Sequence, residues 1–242
     1  MLEAAFWGFV GGGALLIGAL AGIYLSASMR VIGLVMAFGS GVLISALAYE
    51  LMREASEIAG TTSAVLGLFA GSLVFFGGDW LIDRRGGHRR KSPRGPQVGA
   101  GASALVLGAL LDGIPESAAI GVSLIGGGGG VGVAVVAAVF LSNVPEALSA
   151  SAGMRASGRS VGYILGLWAA VTAASTVAAA LGFAFLSGAG PVATGAIEAF
   201  AAGAVLTMLA DTMLPEAVEH AGPLVGIVTA VGFGAAFLLS AA

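Results

Sequence analysis

Long apolar runs separated by short polar breaks make up nearly the whole chain. Each run reaches about 20 residues, the length that a helix needs to cross the hydrocarbon core of a bilayer. The pattern therefore predicts an all-α membrane protein, with one transmembrane domain over residues 1–242 that contains eight transmembrane helices. We expect these helices at 5–27, 31–57, 62–83, 99–125, 131–154, 160–186, 194–219 and 222–241.

Composition supports this interpretation and narrows the function. The chain is 58% hydrophobic and only 10% charged, whereas soluble domains carry about 25% charged residues. It has no cysteine, which excludes disulfides and thiolate metal ligands. The net charge is −3 and the basic loop is short, so a nucleic-acid partner is not expected.

The basic residues predict the orientation in the membrane. An eight-helix topology places every Lys and Arg except Arg53 on one side, which the positive-inside tendency makes cytoplasmic. Both termini would then lie outside the cell. The membrane itself is expected to be the cell (plasma or inner) membrane. Most of these basic residues fall in a cytosolic loop at 83–98, which we interpret as a topology anchor and flexible linker. The residues on this side are Arg30, Arg84, Arg85, Arg89, Arg90, Lys91, Arg94, Arg155 and Arg159.

An internal repeat links the two halves. The segment "GVLISALAYELMREASE" (41–57) aligns without gaps with "GAVLTMLADTMLPEAVE" (203–219), and "GIPESA" (113–118) resembles "NVPEAL" (143–148). Each pair lies on predicted helices that cross the membrane in opposite directions. Inverted repeats are typical of transporters whose site lies at the repeat interface near the midplane. We therefore expect a 3+2+3 arrangement around the central fourth and fifth helices.

The central helices carry the candidate chemistry. Asp112 and Glu116 are four residues apart and share a helix face, as do Asn143 and Glu146, three apart. A proline beside each pair frees a backbone carbonyl one turn earlier. Each charged side chain at the bilayer centre costs about 2.5–3.5 kcal/mol. No Lys or Arg lies in the middle of a predicted helix, so a proton or a bound cation must neutralise the carboxylates, and we favour a cation.

Three short motifs reinforce this hypothesis. The fourth helix contains "DGIPES" (112–117), the fifth "SNVPEA" (142–147) and the seventh "DTMLPE" (211–216). The chain resembles the ZIP (Zrt/Irt-like protein) family of divalent-metal transporters over nearly its full length. That family has a His-Asn-x-Pro-Glu-Gly pattern on helix 4, a related Pro-Glu pattern on helix 5, and an acidic or His residue before Leu-Pro-Glu on helix 7. It also has eight spans, both termini outside and a 3+2+3 arrangement.

The resemblance implies that the metal site lies between the fourth and fifth helices and that metal moves into the cytosol. Zinc is the ion that the family implies. Both motif histidines are replaced here, by Asp112 and Ser142, which leaves an oxygen-only ligand set. Oxygen ligands suit harder ions such as Mn²⁺ or Mg²⁺, with Fe²⁺ also a candidate. The ligands implied for this single-ion site are Asp112, Glu116, Asn143 and Glu146, with Ser142 as a further candidate.

Acidic residues at the ends of the second and seventh helices are candidates for an entrance and an exit. We expect Glu50 and Glu54 near the outer mouth and Asp211 and Glu216 near the inner one. The alternative, that they are ordinary solvated helix ends, is left open.

Two other functions are weighed against transport. A family member that binds or senses metal without moving it would have the same sequence. An intramembrane aspartyl protease could pair Asp112 with Asp211, but the Pro-Glu motifs would then have no role, so no enzymatic activity is expected. The expected partners are divalent metal ions and the lipid bilayer, and the sequence leaves a homodimer open.

Overall fold

A computed structural model describes residues 1–25, 28–84, 102–126 and 133–240. This part of the chain is all-helical, as predicted. Its eight long helices are α1 (Leu2–Tyr24), α2 (Met29–Ala59), α3 (Thr61–Ile82), α4 (Ala102–Gly126), α5 (Val133–Ala156), α6 (Val161–Leu186), α7 (Pro191–Ala221) and α8 (Leu224–Ser240).

The helices suit a membrane. Seven are long and apolar enough to span a bilayer, and α8 is a shorter apolar helix of 17 residues. On α3, Phe69 and Leu73 are 61% and 69% exposed. Large apolar side chains on an open helix face are suited to lipid contact. The prediction of an integral membrane protein built from long apolar helices is thus confirmed.

The turns at the ends of α2 and α7 both use glycine. Gly60 follows α2 with φ 80°, and Gly222 lies in the turn between α7 and α8 with φ 64°. Side chains other than glycine rarely adopt positive φ, so glycine allows these sharp helix ends. As a result, α3 and α8 begin within a few residues of the preceding helix.

Two helices change their hydrogen-bonding pattern partway along. α2 becomes π-helical over Leu47–Met52, and α7 does so over Leu209–Met213, before each resumes as an α-helix. A π-turn inserts an extra residue and rotates the side chains that follow it, and such turns often mark functional sites. In both helices the π segment precedes an acidic stretch, which contains Glu54 in α2 and Glu216 in α7.

The helices pack in two groups of four. In the first group α1 packs against α5 and α6, and α4 packs against α6; in the second α2 packs against α7 and α8, and α3 against α7. The contacts α2–α5 and α4–α7 join the two groups. Glycines allow the closest approaches: a Cβ on Gly41 would overlap the carbonyl oxygen of Thr229, and one on Gly203 would overlap that of Leu68. Small residues at helix crossings are the usual means of tight packing in membranes.

Candidate functional site

The five predicted ligand residues on α4 and α5 are all buried inside the bundle. Asp112 and Glu116 share one face of α4, and Asn143 and Glu146 share one face of α5, because residues three or four apart lie on the same side of a helix. The exposed fractions are 2% for Asp112, 1% for Glu116, 0% for Ser142, 4% for Asn143 and 3% for Glu146. Polar groups buried this deeply in a membrane protein generally serve a function.

The prolines do not interrupt the central helices. α4 runs continuously through Pro115 and α5 through Pro145. The missing N–H still leaves the carbonyl four residues earlier without its helical donor. On α5 this is the carbonyl of Leu141, which faces α2: a Cβ on Gly39 would lie only 3.3 Å from its oxygen.

A contact between the side chains of Ser142 and Glu116 connects the two central helices. The hydroxyl of Ser142 lies 3.5 Å from Oε1 of Glu116, and it also donates to the carbonyl oxygen of Val139 at 3.0 Å. The shorter bond uses the single hydroxyl proton, so the lone pairs of Ser142 remain available to a cation. Adjacent oxygens of an octahedral site with 2.1 Å bonds are about 3 Å apart. A cation between Glu116 and Ser142 would therefore need only a small adjustment.

Hydrogen bonds to α1 orient the neighbouring polar groups. Nδ2 of Asn143 donates to the carbonyl oxygen of Gly11 at 3.0 Å, which leaves its Oδ1 available as an acceptor or ligand. On α6, the hydroxyl of Thr172 donates to the carbonyl oxygen of Gly12 at 2.8 Å. Ser175, one turn further along α6, is 3% exposed. We did not predict these α6 residues, because isolated Ser and Thr occur throughout apolar helices.

Two cavities lie along α2. One is lined by Glu116 and apolar residues of α2, α4, α5 and α7, and it has room for about one water molecule. The other is lined by Glu50 and residues of α2, α5 and α8. Ala46 and Ala138 line both cavities and so form the partition between them.

The acidic residues are not gathered into a compact cluster. Within the described ranges, no three His, Cys, Asp or Glu side chains lie close enough together to hold a metal ion. A cation at the Glu116–Ser142 contact would then rely on hydroxyl and amide oxygens as well as carboxylates. Ser142 and Asn143 supply such oxygens beside Glu116 and Glu146.

The structure separates the four candidate pathway residues. Glu50 lies in the π-helical segment of α2 and accepts a hydrogen bond from the hydroxyl of Ser240, while Glu54 is half-buried one turn later. Asp211 is exposed on the π-helical segment of α7. Oε1 of Glu216 lies 3.8 Å from Nε2 of His220, and both side chains are largely buried.

Glu198 on α7 was assigned no role from the sequence. It is 0% exposed, and among the described residues neither of its carboxylate oxygens has a hydrogen-bond partner. We expected the helix to begin at 194, whereas α7 begins at Pro191, and the end of α2 covers this first part of it. A carboxylate within the apolar stretch "GAIEAFAAG" was the available signal.

Comparison with known proteins gives no family assignment, because no protein-family model matches the chain and no curated protein matches it.

Proposed function

We propose that this protein is a divalent-cation transporter of the ZIP type, which carries metal into the cytosol through an oxygen site between α4 and α5. The observation that carries the proposal is the burial of Asp112, Glu116 and Glu146 on two helices of a membrane protein. Each ionised carboxylate at that depth costs about 2.5–3.5 kcal/mol. A divalent cation offsets this cost and uses the hydroxyl and amide oxygens beside it.

The ligand chemistry bears on the choice of ion. Carboxylate, hydroxyl and amide oxygens suit Mn²⁺ and Mg²⁺, and Fe²⁺ also accepts such ligands. Zinc remains the ion implied by the resemblance to the ZIP family, although a site without imidazole or thiolate reduces its advantage. The metal is cargo in this proposal, so the site must release it as well as bind it.

An inverted repeat is supported by features at matching positions. The alignment that pairs Gly41 with Gly203 also pairs Gly60 with Gly222, the two positive-φ turn residues. It pairs the two π-helical segments as well. Both aligned glycines, Gly41 and Gly203, lie under a backbone carbonyl of a neighbouring helix. Coincidence of backbone features at aligned positions is stronger support than identities among Gly and Ala.

The helix packing supports the 3+2+3 arrangement in the same way. The proposed repeat relates α1, α2 and α3 to α6, α7 and α8, in that order, and α4 to α5. Under this correspondence the contact α2–α8 becomes α7–α3. The contact α1–α5 likewise becomes α6–α4, and all four contacts are present. This is the pattern that a pseudo-twofold axis through the central pair would produce.

Transport would move one helix group against the other. The ligand residues all lie in the group α1/α4/α5/α6, which packs tightly within itself and meets the other group through α2–α5 and α4–α7. The moving unit would then be these four helices. The partition at Ala46 and Ala138, one residue from each group, would open during this movement.

The aspartyl protease alternative has less support. Such an enzyme needs two aspartates that share one site. Asp112 is buried on α4, whereas Asp211 is exposed on α7 in the other helix group.

Uptake into proteoliposomes tests the proposal directly. Purified protein should admit at least one of Zn²⁺, Mn²⁺ and Fe²⁺, and Glu116→Gln should abolish this uptake, because it removes a ligand while preserving side-chain volume. Binding without uptake would favour the metal-sensing alternative. If no ion of the panel either binds or enters, the proposal is wrong.

A further inference from the structure

A second buried carboxylate centre lies away from α4 and α5, where α7 begins and α2 ends. The backbones approach closely there: a Cβ on Gly195 would lie 2.8 Å from Cβ of Ala59 and 2.9 Å from the carbonyl oxygen of Ala55. Ala199 packs in one cluster with Ala55 and Ala64. Glu198 therefore lies beside a close contact of α2, α3 and α7, which explains its complete burial.

The neighbouring charge has the same sign. Glu54 is half-buried next to Ala55, on the turn of α2 that packs against Gly195 and Ala199, so its carboxylate brings a second negative charge to this contact. Arg53 offsets this charge only in part, since its guanidinium binds Glu57 at 3.0 Å and the carbonyl oxygen of Tyr49 at 3.0 Å, and its side chain is 58% exposed. Two neighbouring carboxylates, one of them fully buried, need a cation or a proton to offset their charge.

We propose that Glu54 and Glu198 form a second cation-binding site that takes a hard divalent ion such as Mn²⁺. Two carboxylates with water completing the shell are a common arrangement for such ions. Glu54 is partly exposed and would bind the ion from the solvent side, while Glu198 would bind it from the buried side. The site belongs to the group α2/α3/α7/α8, so it does not depend on the proposed central site.

The site occurs at only one end of the bundle. In the alignment of the two halves, the position of Glu198 corresponds to Met36, a fully buried apolar residue. The opposite end instead pairs Glu216 with His220. The repeat therefore does not account for Glu198.

Counting bound Mn²⁺ on the purified full-length protein tests the site, with free ion measured by electron paramagnetic resonance. We expect about two ions per chain in the wild type, one at the central site and one at Glu54 and Glu198. Glu198→Gln should remove one bound ion and leave the ion at the central site. Glu54→Gln should weaken binding of the ion that Glu198→Gln removes. Glu57→Gln is the matched control, since Glu57 lies three residues from Glu54 on α2 but is exposed and paired with Arg53.

The central and the second site can fail separately. If Glu198→Gln binds as much Mn²⁺ as the wild type, the second site is wrong, whatever Glu116→Gln does. If Glu198→Gln loses an ion while Glu116→Gln loses none, the second site stands and the central one falls. Infrared spectra provide an independent check: a protonated-carboxyl band that is absent from Glu198→Gln and persists at saturating Mn²⁺ would mean that Glu198 holds a proton, and would overturn the proposal.

Discussion

Individual carboxylates determine what this bundle can do, because they are the groups that an apolar environment tolerates least. Glu116 and Glu146 are 1% and 3% exposed, on neighbouring helices. In water such residues would be unremarkable surface charges, whereas inside a bilayer each requires a cation, a proton or a hydrogen-bond donor. The site chemistry therefore depends on single side chains more than on the fold.

Glu116→Gln and Glu146→Gln should each weaken metal binding by more than about 100-fold, since even residues behind the ligands account for about 10–100-fold. Without metal, the melting temperature should hold or rise, because the variant buries one charge fewer. Calorimetric titration and thermal melting in detergent measure the two effects. Unchanged affinity in either variant would mean that the substituted residue is not a metal ligand.

Selectivity should shift toward zinc in the double variant Asp112→His, Ser142→His. Imidazole is a preferred zinc ligand, and these two positions are where histidine is missing from the motifs. Competition between zinc and manganese for uptake measures the shift. The single variant Asp112→Asn is a suitable control, since it removes charge without adding imidazole. An unchanged preference would mean that the two positions do not face the ion.

Sequence reasoning succeeded where the local context decides the outcome. Asp112 and Asn143 lie in the middle of apolar helices, so their burial followed from the cost of exposing polar groups to lipid. Glu198 could not be found in this way, since its burial depends on how α2 and α3 pack over the first turns of α7. Asp211 shows the reverse case, a residue inside a motif whose side chain is nonetheless exposed.

At the scale of helices, close backbone contact replaces the interlocking of large side chains. Gly41 and Gly232 each lie under a carbonyl of the partner helix across the α2–α8 contact. The apolar runs predicted that these helices exist, but not which face each one uses. The π-helical segments were equally invisible, because no residue type marks the extra residue in "LAYELM" (47–52).

Two glycines on α8 provide a matched pair for testing this contact. Gly232→Ala should destabilise the protein by about 1–3 kcal/mol, since its Cβ would overlap the carbonyl oxygen of Phe38. Gly234→Ala meets nothing within 4 Å and should be neutral or stabilising, because alanine favours helix by about 1 kcal/mol. Melting temperatures in detergent give the comparison. Equal effects of the two changes would contradict the close approach of α2 and α8.

For the whole molecule, the main consequence of the proposed repeat concerns orientation, because antiparallel halves place equivalent loops on opposite sides of the membrane. Ser28 caps α2 and Ser160 caps α6, each by accepting a hydrogen bond from a backbone N–H three residues later. The proposed topology assigns both turns to the cytoplasmic side, together with the basic loop. The turn between α6 and α7 would face outward.

The absence of native cysteine makes this orientation simple to test. Ala156→Cys, exposed at the end of α5, should react with a membrane-impermeant maleimide only after cells are permeabilised. Ser187→Cys, exposed just after α6, should react in intact cells. The opposite pattern would reverse the proposed orientation and with it the direction of entry. Labelling of both cysteines from the same side would contradict a topology in which one transmembrane helix, α6, separates them.

The cavity beside Glu116 also sets a requirement on hydration. With room for about one water molecule, it cannot admit an ion that keeps its shell. Mg²⁺ releases its waters reluctantly and usually retains several of them. The ion that passes would then be selected by the ease with which it sheds water, so we expect Mg²⁺ to compete poorly with Mn²⁺ even though both favour oxygen ligands.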